Sequence, residues 1–481
     1  MREFVLTASQ AEACTALDDF FHDGALSFAI IRGPAGAGKS ALLQHYFKRS
    51  HSFDDALIIK LAPTHQAKSI LDNSLRIGEG AKTLSSFFGL MMVTHPQTLA
   101  EEFREPGKWV LVETKTGEQL QTIPKSSEGT EWRFLESESR AHKALDEAED
   151  AQKTIVVVVD EISMISEADH TRILSLVDRH PGLKLVLLGD HMQLPPVDKN
   201  RDAGVSPCFS QAFMSRDDVK VMALTQIVRQ CDEVVKSNML YMRTCIRKGT
   251  AIDLKQLQQT PCFKLVPSLY DHLDEFNGTN DVKALAWRNK TVDALNTRIK
   301  ERLNGESVLD NFVPNDSIVF TLPYRGLINN GDAFVIRSIE DESVEVYSDR
   351  GKPKCFALQR YTLLPAGDAR GEAVECWRFK KPAEYRAEKA KLELRARATD
   401  DLKLRQKIIS GQLRSLKDHH AFFKVAFSLT VHKAQGSTIS TVLIDGQDIC
   451  SSWDVDMRNR LLYTAISRMR DRAIIAVGKA R

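Results

Sequence analysis

The chain has 481 residues, which at roughly 150 residues per domain corresponds to about three folded units and rules out one small domain. Hydrophobic residues make up 43% and charged residues 27%, the mix of a soluble globular chain and far from disordered or collagen-like compositions. Lys plus Arg is 66 and Asp plus Glu is 64, a formal charge of +2, so any affinity for a polyanion has to come from local patches.

The eight cysteines are scattered, with no CxxC pair and no Cys/His cluster at metal-ligand spacing, and read as reduced thiols, mostly buried. The longest aliphatic run, Ile155 to Val159, is far short of the ~18 apolar residues of a membrane span. Met1 to Gln10 has no charged region followed by an apolar stretch. The expectation is an intracellular protein without a membrane partner.

In chain order, the first strong pattern is a strand, Phe28 to Arg32, then the loop Gly33-Pro34-Ala35-Gly36-Ala37-Gly38-Lys39-Ser40, then a helix opening at Ala41. Strand, glycine loop and helix in this order begin a parallel α/β domain. Between roughly 95 and 150 the character changes. Trp109 to Thr114 and Gln119 to Ile123 flank a turn at Gly117 and predict a projecting β-hairpin. Glu128 to Lys153 carries eight acids against four Lys or Arg and predicts a helix with a solvated face. Ile155 to Val159, ending in Asp160-Glu161, and Leu185 to Leu188, ending in Gly189-Asp190, predict strands buried on both faces. Their carboxyl ends should line a ligand crevice.

A second α/β pattern runs from about 225 to 300 and resumes near 425, with strands expected at Ala426 to Leu429, Val442 to Asp445 and Ala473 to Val477. Between these, short runs at Ser317 to Phe320, Ala333 to Ile336 and Val344 to Tyr347 are punctuated by Asn330-Gly331-Asp332 and Asp349-Arg350-Gly351, which suggests a small β-barrel. Residues 380 to 424 then hold thirteen Lys or Arg against six Asp or Glu, with one Gly and one Pro, and read as two charged helices forming an arm.

Gly33 to Ser40 satisfies the full P-loop spacing in the strand-to-helix context that motif requires. Glycines let backbone N–H groups turn toward phosphate oxygens, Lys39 can reach the β and γ phosphates, and the Ser40 hydroxyl can ligate Mg²⁺. Asp160 and Glu161 end a buried strand, where a carboxylate pair needs a compensating charge. Mg²⁺ held by Asp160, with Glu161 polarising the attacking water, supplies that compensation. Gln193, Arg229 and Arg468 are the candidates for groups converging on the γ-phosphate. The residues alone thus lead to an ATPase that uses ATP and Mg²⁺.

The ordered set of motifs resembles a superfamily 1 helicase of the RecD/Dda type, over nearly the whole chain. It comprises Leu6-Thr7-Ala8-Ser9-Gln10, Gly33 to Ser40, Ala62-Pro63-Thr64-His65-Gln66-Ala67-Lys68 and Thr83-Leu84-Ser85-Ser86-Phe87. After these come Asp160-Glu161, Gly189 to Val197, Leu224 to Gln230, Val431-His432-Lys433-Ala434-Gln435-Gly436-Ser437-Thr438 and Tyr463-Thr464-Ala465-Ile466-Ser467-Arg468. Ser85 stands where the family usually carries His, and His65 where many relatives carry Gly.

The resemblance implies an α/β architecture of two RecA-like P-loop domains. The first (1–94 and 141–222) would carry a β-hairpin insertion (95–140), and the second (223–312 and 425–481) an SH3-like β-barrel with a helical arm (313–424). It implies that Gln10, Gly33, Pro34, Ala35, Gly36, Ala37, Gly38, Lys39, Ser40, Ala41, Gln435 and Gly436 contact the nucleotide, that Ser40 and Asp160 hold the metal, and that Arg229 and Arg468 are arginine fingers from the second domain. Pro63, Thr64, His65, Thr83, Ser85, Phe87, His191, Thr430, His432, Ser437 and Thr438 become the DNA-contact candidates, and the hairpin the strand-separating pin. Trp377, Phe379 and Tyr385 are expected chiefly as packing of the barrel core.

The activity so implied is 5′-to-3′ translocation on single-stranded DNA with separation of forked duplex DNA, by a monomer that can work beside a single-stranded DNA-binding protein. The expected location is the cytoplasm, or the host's for a phage-encoded chain. Two other classes share the ATPase. A P-loop kinase or phosphatase would lack the second α/β half, whereas an ATP-gated clamp that remodels nucleoprotein without opening duplexes would share every motif.

Overall fold

The computed structural model describes residues 5–50, 53–105, 107–120, 130–136, 140–196, 205–229, 232–276, 282–349, 351–366 and 372–478. They divide into two compact units: 1–84 with 144–309 and 427–481, and 85–143 with 310–426. No described helix is long and apolar enough to cross a membrane. No disulfide joins the described cysteines.

The first unit holds two parallel sheets. One runs in the order Val219–Ala223, Phe28–Arg32, Lys184–Gly189, Ile155–Val159, Leu57–Ala62, Lys82–Thr83. Every residue of Ile155–Val159 is buried, as a central strand covered on both faces by helices requires. Its neighbours Leu57–Ala62 and Lys184–Gly189 are nearly as dark, which is why these segments read as continuous apolar runs. The helix Ala8–His22 packs Leu17 and Phe20 into this core and starts on a capping box between Thr7 and Gln10.

The second sheet of this unit orders Phe263–Val266, Met469–Ala476, Ile439–Ile444, Val282–Ala286 and Ser428–Thr430, with all pairings parallel. The helices Glu233–Lys248 and Val455–Ile466 bury Met239, Met242, Leu461 and Leu462 against it. The expected strand at Ala426 to Leu429 is shorter and shifted, because Ala426 and Phe427 form the crossing point between units.

The second unit is built from two distant pieces of chain. In 310–426 the strands order Val374–Phe379, Lys352–Pro365, Ala333–Asp349, Ser317–Phe320 and Phe423–Val425, all antiparallel. The short runs expected at 333 and 344 are one strand of 17 residues, bent where its register shifts between Ile336 and Ser338 and again between Glu345 and Tyr347. The sheet curls until its edges approach: Ala421 N–H donates to the Trp377 carbonyl at 2.7 Å. Phe379 and Tyr385 are core, while Trp377 is half-buried and donates its indole N–H to Glu342. The arm is two helices, Pro382–Ala398 and Leu402–Asp418, the second widening into a π turn over Lys407–Leu413 around Gly411.

In 85–143 the structure corrects the expected helix over the acidic stretch and gives Gly107–Glu113 a further partner. The strand Gly107–Glu113 pairs along its length with Thr130–Glu136, and the chain also turns back at Gly117, with Glu113 N–H on Glu118 O, Leu120 N–H on Leu111 O and a bridge between Val112 and Gln119. Gln121 to Ile123 lie outside the described residues. The acidic stretch is therefore a strand followed by the shorter helix Arg140–Asp150. Charge density masked the alternation of Trp132 and Phe134 with Glu131, Arg133 and Leu135 that the strand pairing uses. A second hairpin, Met91–Thr94 with Glu101–Arg104, precedes it.

Candidate nucleotide site

The P-loop leaves the strand Phe28–Arg32 at its carboxyl end and enters the helix Lys39–Arg49. Gly36 and Gly38 hold φ of +79° and +78°, a left-handed backbone that a side chain strains. Neighbours close the case at both positions. A Cβ on Gly36 would lie 2.8 Å from the Arg229 Cβ, and one on Gly38 2.8 Å from Gln10 Nε2. Ala35 and Ala37 are buried, and Ala41 opens the first turn beside Ser40.

The Lys39 ammonium donates to the carbonyls of Gly33 (3.1 Å) and Pro34 (3.2 Å), folded onto its own loop. The Ser40 hydroxyl donates to Asp160 Oδ2 at 3.4 Å. Asp160 accepts the Glu161 N–H on its other oxygen at 2.8 Å, and Glu161 adopts a left-handed backbone with φ of +52°. Burial, and next the neighbouring Glu161 charge, push the Asp160 carboxyl up to about 6, against the pull of Lys39. Two carboxylates crowded at a buried strand end, beside a hydroxyl and with only the Lys39 ammonium to offset them, form a hard oxygen donor set with negative charge in excess. That fits a Mg²⁺ ion held by Ser40 and Asp160 beside bound phosphates.

The sign of the Asp160 shift gives a stability prediction. A carboxyl with a folded pKa near 6 and an unfolded value near 4 binds its proton more tightly when folded, so it favours folding at low pH and progressively loses that contribution as pH rises from about 4 through 6. Asp160→Asn, without Mg²⁺ or nucleotide, should therefore stabilise the protein at pH 8 by on the order of 2 kcal/mol. Thermal unfolding should show a raised Tm at pH 8 and a gap that narrows toward pH 5. A lowered Tm at pH 8 would contradict the assigned strain.

Gln193, Arg229 and Arg468 come to the same place. Arg468 is 3% exposed; its Nη2 donates to Gln193 Oε1 at 3.3 Å and to Ser467 Oγ at 2.9 Å, and its Nη1 to the Ser437 carbonyl at 3.3 Å. Burial lowers its pKa while the Glu161 charge opposes that shift. Arg229 and Val228 donate their N–H groups to the Gly36 carbonyl at 3.0 and 2.8 Å, which sets the exposed Arg229 side chain at the P-loop mouth.

Gln10 is buried under the loop. Its Oε1 accepts the Thr7 N–H and its Nε2 donates to the Ala37 carbonyl at 3.0 Å, so both ends of its amide are engaged within the protein. Gln435 donates to Ser163 Oγ (3.3 Å) and to the Leu194 carbonyl (3.2 Å), joining the two sheets' halves rather than the P-loop.

One cluster escaped the sequence reading. Asp190, fully buried, takes both oxygens to Arg243 Nη1 at 2.7 Å and one to the Tyr463 hydroxyl at 2.6 Å. Ala35 N–H in the P-loop reaches that hydroxyl at 3.4 Å. Arg460 donates to the carbonyls of His191 and Gln193, and the Thr464 hydroxyl accepts the Leu194 N–H. The segment from Asp190 to Leu194 is thus fastened to the helix Val455–Ile466, two residues before Arg468. Arg243 holds the Asp190 carboxyl below the usual carboxylate range. Arg243→Ala would leave that carboxylate buried without its cation and should cost about 3–5 kcal/mol, against about 1 kcal/mol for Tyr463→Phe. Denaturant unfolding of both variants checks this ordering.

Most of the DNA-contact candidates lie on the two halves of the first unit, with Ser85 and Phe87 at the start of the second. Thr64 caps the helix His65–Ser74 by accepting the Ala67 N–H, with Pro63 and His65 half-buried at its start. Thr430 caps Val431–Ala434 in the same way, accepting from Lys433, and Ser437 is buried with its hydroxyl on the Ala434 carbonyl. A Cβ on Gly436 would lie 3.3 Å from Ala67 Cβ, so the loop that leaves Val431–Ala434 adjoins the start of His65–Ser74. Thr438 is exposed, and burial lowers the pKa of the half-buried His432. Thr83 and Phe87 are buried, Phe87 edge-on to Phe88 at 5.2 Å, whereas Ser85 is exposed. His191 packs on Phe209, and burial pulls it down to about 4.

A family model described as an AAA domain matches residues 5–260, more than half of the chain, and one described as the UvrD-like helicase C-terminal domain matches 425–476. Uncharacterized protein R530 of Acanthamoeba polyphaga mimivirus is 21% identical over 97% of this chain and 99% of its own length. The ATP-dependent DNA helicase dda of Enterobacteria phage T4 is 23% identical over 92% of each chain. Among solved structures, a Pif1 helicase from Bacteroides in complex with ADP-AlF3 and ssDNA is 17% identical, with a TM-score of 0.48 over 99% of this chain and 94% of that one.

Proposed function

The chain belongs to the AAA-domain family of P-loop proteins, within the superfamily 1B helicases of the Dda and Pif1 type, and from that membership we propose that it is a helicase moving 5′ to 3′ on single-stranded DNA and separating the duplex ahead. That it is an ATP-dependent DNA helicase follows from the family. Direction, the use of Mg-ATP and the residue roles are the parts proposed. The residue roles rest on the delivery of Arg468, on the second half, to Gln193 on the first, beside Glu161, and the direction rests on the likeness to the Dda type.

ATP binds with its phosphates on backbone N–H groups of the P-loop and the start of its helix, and Lys39 exchanges its two carbonyl partners for the β and γ phosphates. Mg²⁺, when bound at Ser40 and Asp160, neutralises phosphate charge. Glu161 orients the attacking water and accepts its proton, and Gln193 reports whether the γ-phosphate is present. Arg229 and Arg468 stabilise the charge that spreads over the transferring group.

Their role also supplies the motor. Arginines that reach across a cleft hold ATP better than ADP, so hydrolysis changes the relative free energy of closed and open states. Thr64 and His65 on the first half and Thr430, His432 and Ser437 on the second would grip phosphates in alternation, without reading bases. The architecture proposed for the working enzyme is two RecA-like domains, the first bearing the hairpin as pin and the second an SH3-like barrel with its arm. It acts as a monomer, on strands also covered by a single-stranded DNA-binding protein.

The test of this coupling is ATP turnover with and without single-stranded DNA. Stimulation of at least tenfold, lost on omitting Mg²⁺, is expected. Turnover indifferent to DNA would remove the motor reading and leave only an ATPase.

A further inference from the structure

The second unit contains a cavity of about 1320 Å³ whose walls are the two hairpins of 90–134 on one side and the arm with the 322–326 turn on the other. It exceeds the ~300–1,000 Å³ of small-molecule sites, which points to a length of polymer rather than a compact ligand. The hairpin wall presents Trp109, Trp132 and Phe134, and the Trp109 indole N–H has no hydrogen-bond partner among the described residues. Arg104 stacks over Trp109 and Phe134 at 4.9 and 5.1 Å, holding those rings in place. The opposite wall presents Arg325, itself stacked on Trp377 at 4.8 Å.

Charge favours a polyanion. Six cations line the cavity, Lys108, Arg325, Lys389, Arg405, Arg414 and Lys417, against the acids Glu101, Glu393 and Asp418. Lys417 and Lys389 pair with Glu101 and Glu393, and buried Arg405 donates to the Ala396 and Arg397 carbonyls, which leaves exposed Lys108, Arg325 and Arg414 against the one further acid, Asp418. Met91 and Met92, 47% and 40% exposed, add apolar surface on the rim. Aromatic faces interleaved with cations, without a built pocket for any one base, are the physical signature of sequence-independent binding to single-stranded nucleic acid.

We propose that this cavity is a second single-strand site, which holds the strand displaced from the duplex while the first unit carries the translocated one. The proposal rests on the helicase reading. Phosphates of the displaced strand lie against Lys108, Arg325 and Arg414, and its bases stack on Trp132 and its neighbours. Holding that strand would slow reannealing behind the fork.

The test uses the full chain and three DNAs: a single strand, a duplex with a 5′ tail, and a fork with the same 5′ tail and an added unpaired 3′ arm. Wild-type protein should bind the fork roughly tenfold tighter than the tailed duplex, with a steeper salt dependence. Lys108→Glu/Arg414→Glu, both exposed, should abolish that difference while ATP turnover on the single strand stays within about twofold of wild type. Trp132→Ala should weaken it and Trp132→Phe restore most of it, which separates stacking from a folding defect.

No gain from the 3′ arm in wild type, or a gain untouched by charge reversal, would overturn the proposal. So would displacement of the arm by oligoglutamate at lower concentration than by an oligonucleotide, since the cavity would then be an acidic-peptide site. Failure of single-stranded DNA to stimulate wild-type turnover would instead strike the helicase reading, independently of the arm measurement.

Discussion

Lys39→Ala is expected to lower DNA-stimulated ATP turnover by about 10³-fold or more, with single-strand affinity changed by less than about threefold. The ammonium is the one cation carried by the P-loop itself, and its present partners are two carbonyls that phosphate oxygens can replace. Without it, the charge building on the β and γ phosphates loses a fixed neutralising group at the moment of transfer. The single-strand candidates sit on other elements, at the starts of His65–Ser74 and Val431–Ala434, and make no hydrogen bond to Lys39. Turnover measured alongside equilibrium binding to a labelled oligonucleotide checks both halves. A parallel loss of both would mean that Lys39 supports the fold or the strand grip.

Arg468→Ala should give the other large effect, about 10³–10⁵-fold in kcat, as for an arginine that stabilises phosphoryl-transfer charge from across a cleft. ATP binding should survive, because the P-loop is untouched. Arg468→Lys should recover little, since a lysine cannot reproduce the planar fork that serves Gln193, Ser467 and Ser437 at once. A thermal unfolding curve is needed in the same experiment. Arg468 is buried, so a folding defect would appear as a lowered Tm, and a purely catalytic loss as an unchanged one.

The P-loop and the Asp160-Glu161 strand end were legible because their signals are local: a fixed spacing of glycines and Lys-Ser, and a run of valines ending in acid. The parallel strands were legible for the same reason, being buried on both faces and so nearly continuous in apolar residues. What stayed hidden depends on distant pairing. Asp190 and Arg243 are 53 positions apart and meet only when the two halves pack. The partner of Gly107–Glu113 lay beyond the nearest turn, in a stretch whose acidic residues resembled a solvated helix.

The resemblance set expectations for Phe87 and Thr83 as DNA contacts that no local pattern could weigh. Both side chains are buried, while Ser85 between them in the chain is exposed. The union of residues 85–143 with 310–426 in one unit, and the cavity it encloses, could not be read at all, because no sequence signal connects the two segments.

ATP turnover between the two halves of the first unit is expected to drive directional separation of DNA strands. Strand displacement on matched duplexes carrying either a 5′ or a 3′ single-stranded tail, with ATP turnover recorded in the same samples, tests it most directly. Displacement of the 5′-tailed duplex only is expected, dependent on Mg-ATP, with turnover stimulated by both tails. Displacement of the 3′-tailed duplex alone, or stimulated turnover with neither duplex opened, would contradict it.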